Sequence, residues 1–468
     1  MKVFDVLIAF VALSLLLLLA TALRQRWRWL RRLGLPEALI AGLLGLLIGP
    51  FSPLRLFPEP VYAVWTQTPG VLINVVFATL FLGQALPSRT VIWQRAASQT
   101  AFGMVLGFGQ YLMGGLAVLL LLRPWLGVNP LMACLIEVGF EGGHGTAAGM
   151  GPTFQELGLA SGEALGLAMA TVGVLAAVLI GTTLVVIGRG RRWLLASRVS
   201  PAGERPAGNQ AAGDRSSEMP SGAAASPEEL PEAASPTAAS PTIDTLTINV
   251  ALIGGAVGLG VLLKHGFIQA GIAVGGAATG RLLEAVPLFP LAMVGGLLVQ
   301  QLLQWQNHPR LAVASVQQSI GSMAMDLLIT AAMASLNLKL LGEAWLPLLV
   351  LAVAGLAWNL LAFLWLAPRL FRDAWFERAI ADFGQGTGVT ATGLLLLRMA
   401  DPYSRSGALE AFSFKQLVFE PFLGGGLVTA FAPIALVSLG LPLWTGLAAL
   451  LTLASLGFGM LVRRQALG

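Results

Sequence analysis

Glu141-Gly142-Gly143-His144-Gly145-Thr146 and Asp382-Phe383-Gly384-Gln385-Gly386-Thr387 are two versions of one phrase: an acid, one residue, then G-x-G-T. They stand 241 residues apart, and each is followed by a Ser-Gly pair, Ser161-Gly162 and Ser406-Gly407. Each lies in an apolar, Gly-rich segment, 128–153 or 379–398, which cannot run as one smooth helix. Glycines permit turns that leave backbone N–H and C=O groups unpaired. At membrane depth such backbone is tolerated only inside protein or along a polar cavity, and paired broken segments mark the binding site of a carrier.

The surroundings place these segments in lipid. Of 468 residues, 56% are hydrophobic and 11% charged, with a mean hydropathy of +0.78. A soluble domain carries roughly 25% charged residues. Apolar spans of the length a bilayer requires are expected at 3–23, 35–51, 69–87, 97–122 and 163–188, then at 244–263, 287–303, 319–338, 344–368 and 408–436. An eleventh, 441–462, has no counterpart in the first half. The stretch 267–285 either extends the preceding helix or lies along the interface. Between the halves, Ser200 to Thr242 is rich in Ala, Pro, Ser, Gly and Glu and cannot bury a core.

The expected fold is therefore an all-α integral membrane protein. Two inverted five-helix repeats (1–198 and 244–438) each carry a re-entrant Gly-rich hairpin. A disordered cytoplasmic linker (199–243) joins them and one additional C-terminal helix (439–468) follows. Arginines cluster at the ends of helix 1 (Arg24 to Arg32), helix 3 (Arg89, Arg95) and helix 5 (Arg189 to Arg192), and again at Arg369, Arg372, Arg463 and Arg464. The positive-inside rule makes these ends cytoplasmic. The N-terminus is then outside, and an odd number of spans before the linker inverts the second half. Arg123 alone falls at an outer end. The net charge of +5 is thus topological and does not indicate nucleic acid. One cysteine, Cys134, excludes a disulfide framework, and the absence of H-E-x-x-H or G-x-S-x-G argues against an enzyme.

The run Gly142 to Thr146, continuing through Phe154 and Gly158 to Ala168-Met169-Ala170-Thr171-Val172-Gly173, resembles the first loop and following helix of the bacterial sodium/glutamate symporter family. Gly384-Gln385-Gly386-Thr387-Gly388-Val389-Thr390-Ala391-Thr392 is similar to that family's second loop, and the likeness extends to Pro36 to Gly49 and Asp326 to Leu341. The resemblance implies re-entrant hairpins from opposite faces, a homodimer in the bacterial inner membrane, and Na+-coupled uptake of L-glutamate by an elevator-like movement, with no cofactor beyond the coupling ion. Three features depart from the pattern: Glu141 replaces a small polar residue, Ala381-Asp382 replaces a His-Cys pair, and the last span is added.

Candidate substrate-binding residues are Gly143, His144, Gly145, Thr146, Gly384, Gln385, Gly386, Thr387, Thr390, Thr392 and Arg398. Candidate ligands for Na+, or sites of proton coupling, are Glu141, Asp382, Asp326 and Glu137, because intramembrane acids are costly and usually functional. Glu420 before Pro421 marks a kink, and Gly424-Gly425-Gly426 reads as a helix-packing patch. The alternatives are a carrier of another dicarboxylate or a hydroxycarboxylate, or a non-transporting receptor of the same fold.

Overall fold

The computed structural model describes residues 3–27, 36–84, 89–195, 243–337 and 342–465. Among these residues every regular element is helical. The linker, the Arg28 to Arg32 part of the first basic cluster and the end of the span expected at 69–87 lie outside them.

The first half runs through α1 (Val3–Arg26), α2 (Glu37–Ile48) and α3 (Glu59–Thr79), then α4 (Arg89–Ala117). After a 3-10 turn at Pro130–Cys134 come three short helices, α5 (Leu135–Phe140), α6 (Gly143–Gly149) and α7 (Gly151–Glu156), and then the long α8 (Gly162–Gly190). The second half follows with α9 (Ile243–Glu284), α10 (Phe289–Trp305), α11 (Ala314–Ala334) and α12 (Trp345–Leu361). The short pair α13 (Trp375–Gly388) and α14 (Thr390–Ala400) precedes α15 (Ala408–Phe419), α16 (Leu427–Leu439) and α17 (Leu441–Gln465).

Among the described residues seven helical stretches are long and apolar enough to cross a membrane: α1, α3, α4 from Ala96 on through its extension to Leu126, α8, α9 from Thr245 to Ala277, α12 with its extension to Leu370, and α17. Eleven spans were expected. The remainder fall short for identifiable reasons: α2 has 12 residues and α10 has 17, while α11 carries Gln317, Gln318 and Asp326. Helix α3 begins ten residues before the expected start and runs through Pro69. Helix α9 takes in 267–284 of this stretch, turning at Gly276 with φ 74°. The span expected over 408–436 is two helices, α15 and α16, with a break between them.

One local device occurs in both halves. Helix α4 widens into a π-turn at Val118–Leu122, and α12 does so at Ala362–Leu366. Each turn is followed by a proline, Pro124 or Pro368. Proline lacks an N–H and its ring crowds the carbonyl four residues back, Leu120 or Leu364, so the helix must widen there. Both helices then lead into a set of short helices bearing one copy of the duplicated motif.

The packing falls into two groups. Helices α1, α2, α3, α9, α10 and α11 pack mainly on one another, through α11 against α2 and α3 and α9 against α10. The other group centres on α4, which carries α17, α15, α12 and α13, and on α8, which carries α5, α6, α13 and α14. Contacts of α6 with α3 and α11 join the two. Much of α1 and α9 exposes apolar residues such as Leu7, Leu15, Leu18, Leu262 and Val274, surface suited to lipid tails.

Candidate functional site

Helix α8 acts as a ruler for the two motifs. At its start Gly162 abuts Phe154 of α7, and near its end Gly188 abuts Phe376 of α13. Midway, Gly173 faces the Thr387 carbonyl and the Phe140 ring. The segment α5–α7 therefore rises from one end of α8 and the pair α13–α14 from the other, and their motifs meet in the middle. There the Val389 side chain lies over Gly143. Val389 holds φ 93° between α13 and α14, a strained conformation for a β-branched residue of the kind that clusters at functional sites. Helices α13 and α14 touch nearly backbone to backbone, since a Cβ on Gly384 would lie 2.7 Å from Gly393 Cα.

A cavity of about 360 Å³ lies where the two packing groups meet, within the size range of small-ligand sites. From the first motif it is lined by Glu141, Gly142, His144, Gly145 and Thr146, and from the stretch that follows the second motif by Val389, Thr390 and Ala391. Glu420 and Gly424 close it from the α15–α16 break, and Asp326 and Met325 from α11. Among the described residues its walls carry three carboxylates, Glu141, Asp326 and Glu420, and no lysine or arginine.

The three acids are held differently. Glu141 is 4% exposed, and neither of its carboxylate oxygens has a hydrogen-bond partner among the described residues. The Glu420 carboxylate accepts from Thr390 Oγ1 at 3.2 Å and from Gln416 Nε2 at 3.2 Å. Asp326 is exposed at the rim and also borders two neighbouring hollows. His144 is fixed by Thr171 Oγ1 at 3.0 Å from its Nε2. The Thr171 hydroxyl also lies 2.9 Å from the Leu167 carbonyl, which anchors it to its own helix.

Glu137 and Asp382 stand apart from the cavity. Glu137 is fully buried and accepts from Tyr111 Oη at 2.5 Å, Thr429 Oγ1 at 2.7 Å and the Gly424 amide at 2.9 Å. Gly424 and Gly425 have φ of 71° and 109°. The three glycines, taken from sequence as a packing patch, instead break the span, and Glu137 holds the amide of the break. Asp382 accepts from Lys415 Nζ at 3.0 Å and Gln99 Nε2 at 2.8 Å. Among the described residues no three His, Cys, Asp or Glu side chains form a metal-binding group. The four candidate acids are thus distributed, with Glu141 and Asp326 on the cavity and Glu137 and Asp382 in hydrogen-bonded positions behind it.

The substrate candidates divide likewise. His144, Gly145, Thr146 and Thr390 line the cavity. Gly384 belongs to the α13–α14 contact, and Gln385 accepts from Lys415 Nζ at 2.8 Å. The Gly386 carbonyl accepts from Gln110 and from Asn359 Nδ2, which also reaches Thr387 Oγ1 at 3.0 Å. Thr392 bonds back to the Gly388 carbonyl, Gly143 sits beneath Val389, and Arg398 is exposed in the last turn of α14. Sequence reasoning overlooked Lys415, Gln99, Gln110, Asn359, Tyr111 and Thr429. Lys415 had a usable signal, a lone cation in an apolar span; the polar residues of α4 and α12 had none.

The glycines differ in what a side chain would meet. A Cβ at Gly145 approaches Met325 Sδ at 3.0 Å and Ile73 at 3.3 Å beside the cavity, whereas one at Gly386 makes ordinary contact with Leu106 at 3.4 Å. Gly145→Val is expected to cut substrate uptake severely in folded protein, and Gly386→Ala to leave most of it. Uptake by purified, monodisperse variants checks both, and equal activity of the two would return Gly145 to a packing role.

No curated protein matches this chain. The family profile described as Sodium/glutamate symporter matches residues 2–392, both motifs included and Lys415 beyond its end. The chain therefore belongs to the sodium/glutamate symporter family, membrane transporters coupled to Na+, and is not an enzyme.

Proposed function

We propose that the protein carries L-glutamate together with Na+ across the bacterial inner membrane, with both held in the cavity between the two motifs. The observation that carries this reading is the buried Glu141 carboxylate, without a hydrogen-bond partner among the described residues, on a cavity whose described wall has three acids and no lysine or arginine. An anion cannot enter such a site without cations, because like charges in a weakly polar medium repel strongly. Binding of Na+ is then a condition for binding of substrate, which is what coupling requires. Glutamate brings an ammonium that suits the acids, and its carboxylates suit the N-terminal end of α14, where the cavity is lined by Thr390 and Ala391. A dicarboxylate or hydroxycarboxylate without an amine lacks that complement, so glutamate is the favoured substrate.

The motif segments form inverted, re-entrant hairpins in this reading. Support comes from their attachment at opposite ends of α8 and from the repeated π-turn before each. The division into two packing groups with the cavity at their boundary favours an elevator-like movement of one group along the other. Basic residues gather at one end of the bundle, where Arg463 donates to the Arg369 carbonyl and Arg189 to the Met399 carbonyl. That end is taken as cytoplasmic, with the linker and C-terminus there and the N-terminus outside. Homodimerisation follows the family resemblance.

Purified protein in liposomes should accumulate labelled glutamate when an inward Na+ gradient is imposed and not when choline replaces Na+. Uptake indifferent to the gradient, or absent with glutamate while present with an amine-free dicarboxylate, would overturn this function.

A further inference from the structure

The two copies of the motif are chemically unequal. In the first, Glu141 belongs to the cavity wall and its buried carboxylate, packed against Gly107 of α4, has no hydrogen-bond partner among the described residues. In the second, Asp382 is closed off by Lys415, and both side chains are wholly buried. The Lys415 ammonium lies 3.0 Å from Asp382 Oδ1 and 2.8 Å from Gln385 Oε1, and 3.9 Å from the centre of the Phe419 ring. Gln99 secures the other Asp382 oxygen and also donates to the Arg378 carbonyl at 2.9 Å. Two oxygens and an aromatic face form a nest that suits a small monovalent cation as well as an ammonium.

The fold is shaped to deliver the lysine there. A Cβ at Gly103 of α4 would lie 2.5 Å from Lys415 Cε, so the lysine stem packs directly on the facing helix at this glycine. The pair also links three elements, α4 through Gln99, α13 through Asp382 and α15 through Lys415.

We infer that Lys415 is a tethered counter-cation. Its ammonium occupies, at Asp382 and Gln385, a position that a free Na+ would otherwise take, leaving Glu141 as the motif acid that takes a cation from solution. The inference rests on the Na+-coupled reading above and adds to it a limit on stoichiometry, since one of two equivalent acids is neutralised within the chain.

The test compares wild type, Lys415→Met, and Lys415→Met combined with Asp382→Asn. Each is measured for thermal stability in NaCl against choline chloride without substrate, and then for the ratio of radioactive Na+ to labelled glutamate entering liposomes. The single variant exposes a buried, unpaired carboxylate, so it should be unstable in choline and recover in NaCl far more than wild type does. Its transport ratio should rise by one Na+ per glutamate. The double variant should lose both changes. A single variant whose Na+ response equals that of wild type, or that is recovered in neither salt, overturns the inference. Loss of Na+-driven uptake by wild type would instead overturn the transport reading, and the thermal comparison would still decide the role of Lys415.

Discussion

Replacing Glu141 by Gln is expected to weaken Na+ dependence sharply in protein that folds normally. Neither Glu141 oxygen has a hydrogen-bond partner among the described residues, so the amide forfeits no such bond, and it removes a buried charge whose desolvation is costly. What it does forfeit is the charged ligand for a cation. A charge-assisted contact contributes about 1.5–3 kcal/mol, which corresponds to roughly a 10- to 100-fold loss in apparent Na+ affinity. Titrating labelled glutamate uptake against Na+ at fixed ionic strength reads this directly. If the coupled ion is a proton, the same substitution should instead flatten the dependence of uptake on pH. A variant with wild-type dependence on both ions would show that Glu141 has no part in coupling.

Glu137→Leu is expected to be the most damaging of the single substitutions at the acids, and to act on stability rather than on ion dependence. It removes the acceptor of three donors, the Tyr111 and Thr429 hydroxyls and the Gly424 amide. A buried donor left unsatisfied costs about 1–3 kcal/mol, so the total is several kcal/mol at the break between α15 and α16. Glu137→Gln keeps one acceptor oxygen for Gly424 and Thr429 and should be milder. Unfolding midpoints and the yield of monodisperse protein in detergent rank the two. A Leu variant as stable as wild type would mean that the Gly-Gly-Gly break holds its shape without Glu137.

The contrast between these acids shows what was legible in the chain. Glu137 and Glu141 are one helical turn apart and both lie in apolar sequence, so both were candidates for the same task on the same grounds. Their roles diverge because Tyr111 on α4 and Thr429 on α16 converge on the first and no such partner meets the second. Those partners are 26 and 292 residues away, and no local pattern announces them. Asp382 is similar: its equivalence to Glu141 was visible as a repeated phrase, while its capture by Lys415 was not.

Sequence by itself determined the helical, membrane-embedded character, the duplicated motif and the apolar helix at the end of the chain. These follow from composition, periodicity and glycine placement, which act over a few turns of chain. Only the tertiary structure decided that α3 runs through Pro69, that the span at 408–436 is broken, and which residues of the motifs line the cavity. Whether a buried polar group is answered or left unpartnered depends on which side chains the packing of distant helices brings within 3 Å, and that is a property of the assembled bundle rather than of any segment in it.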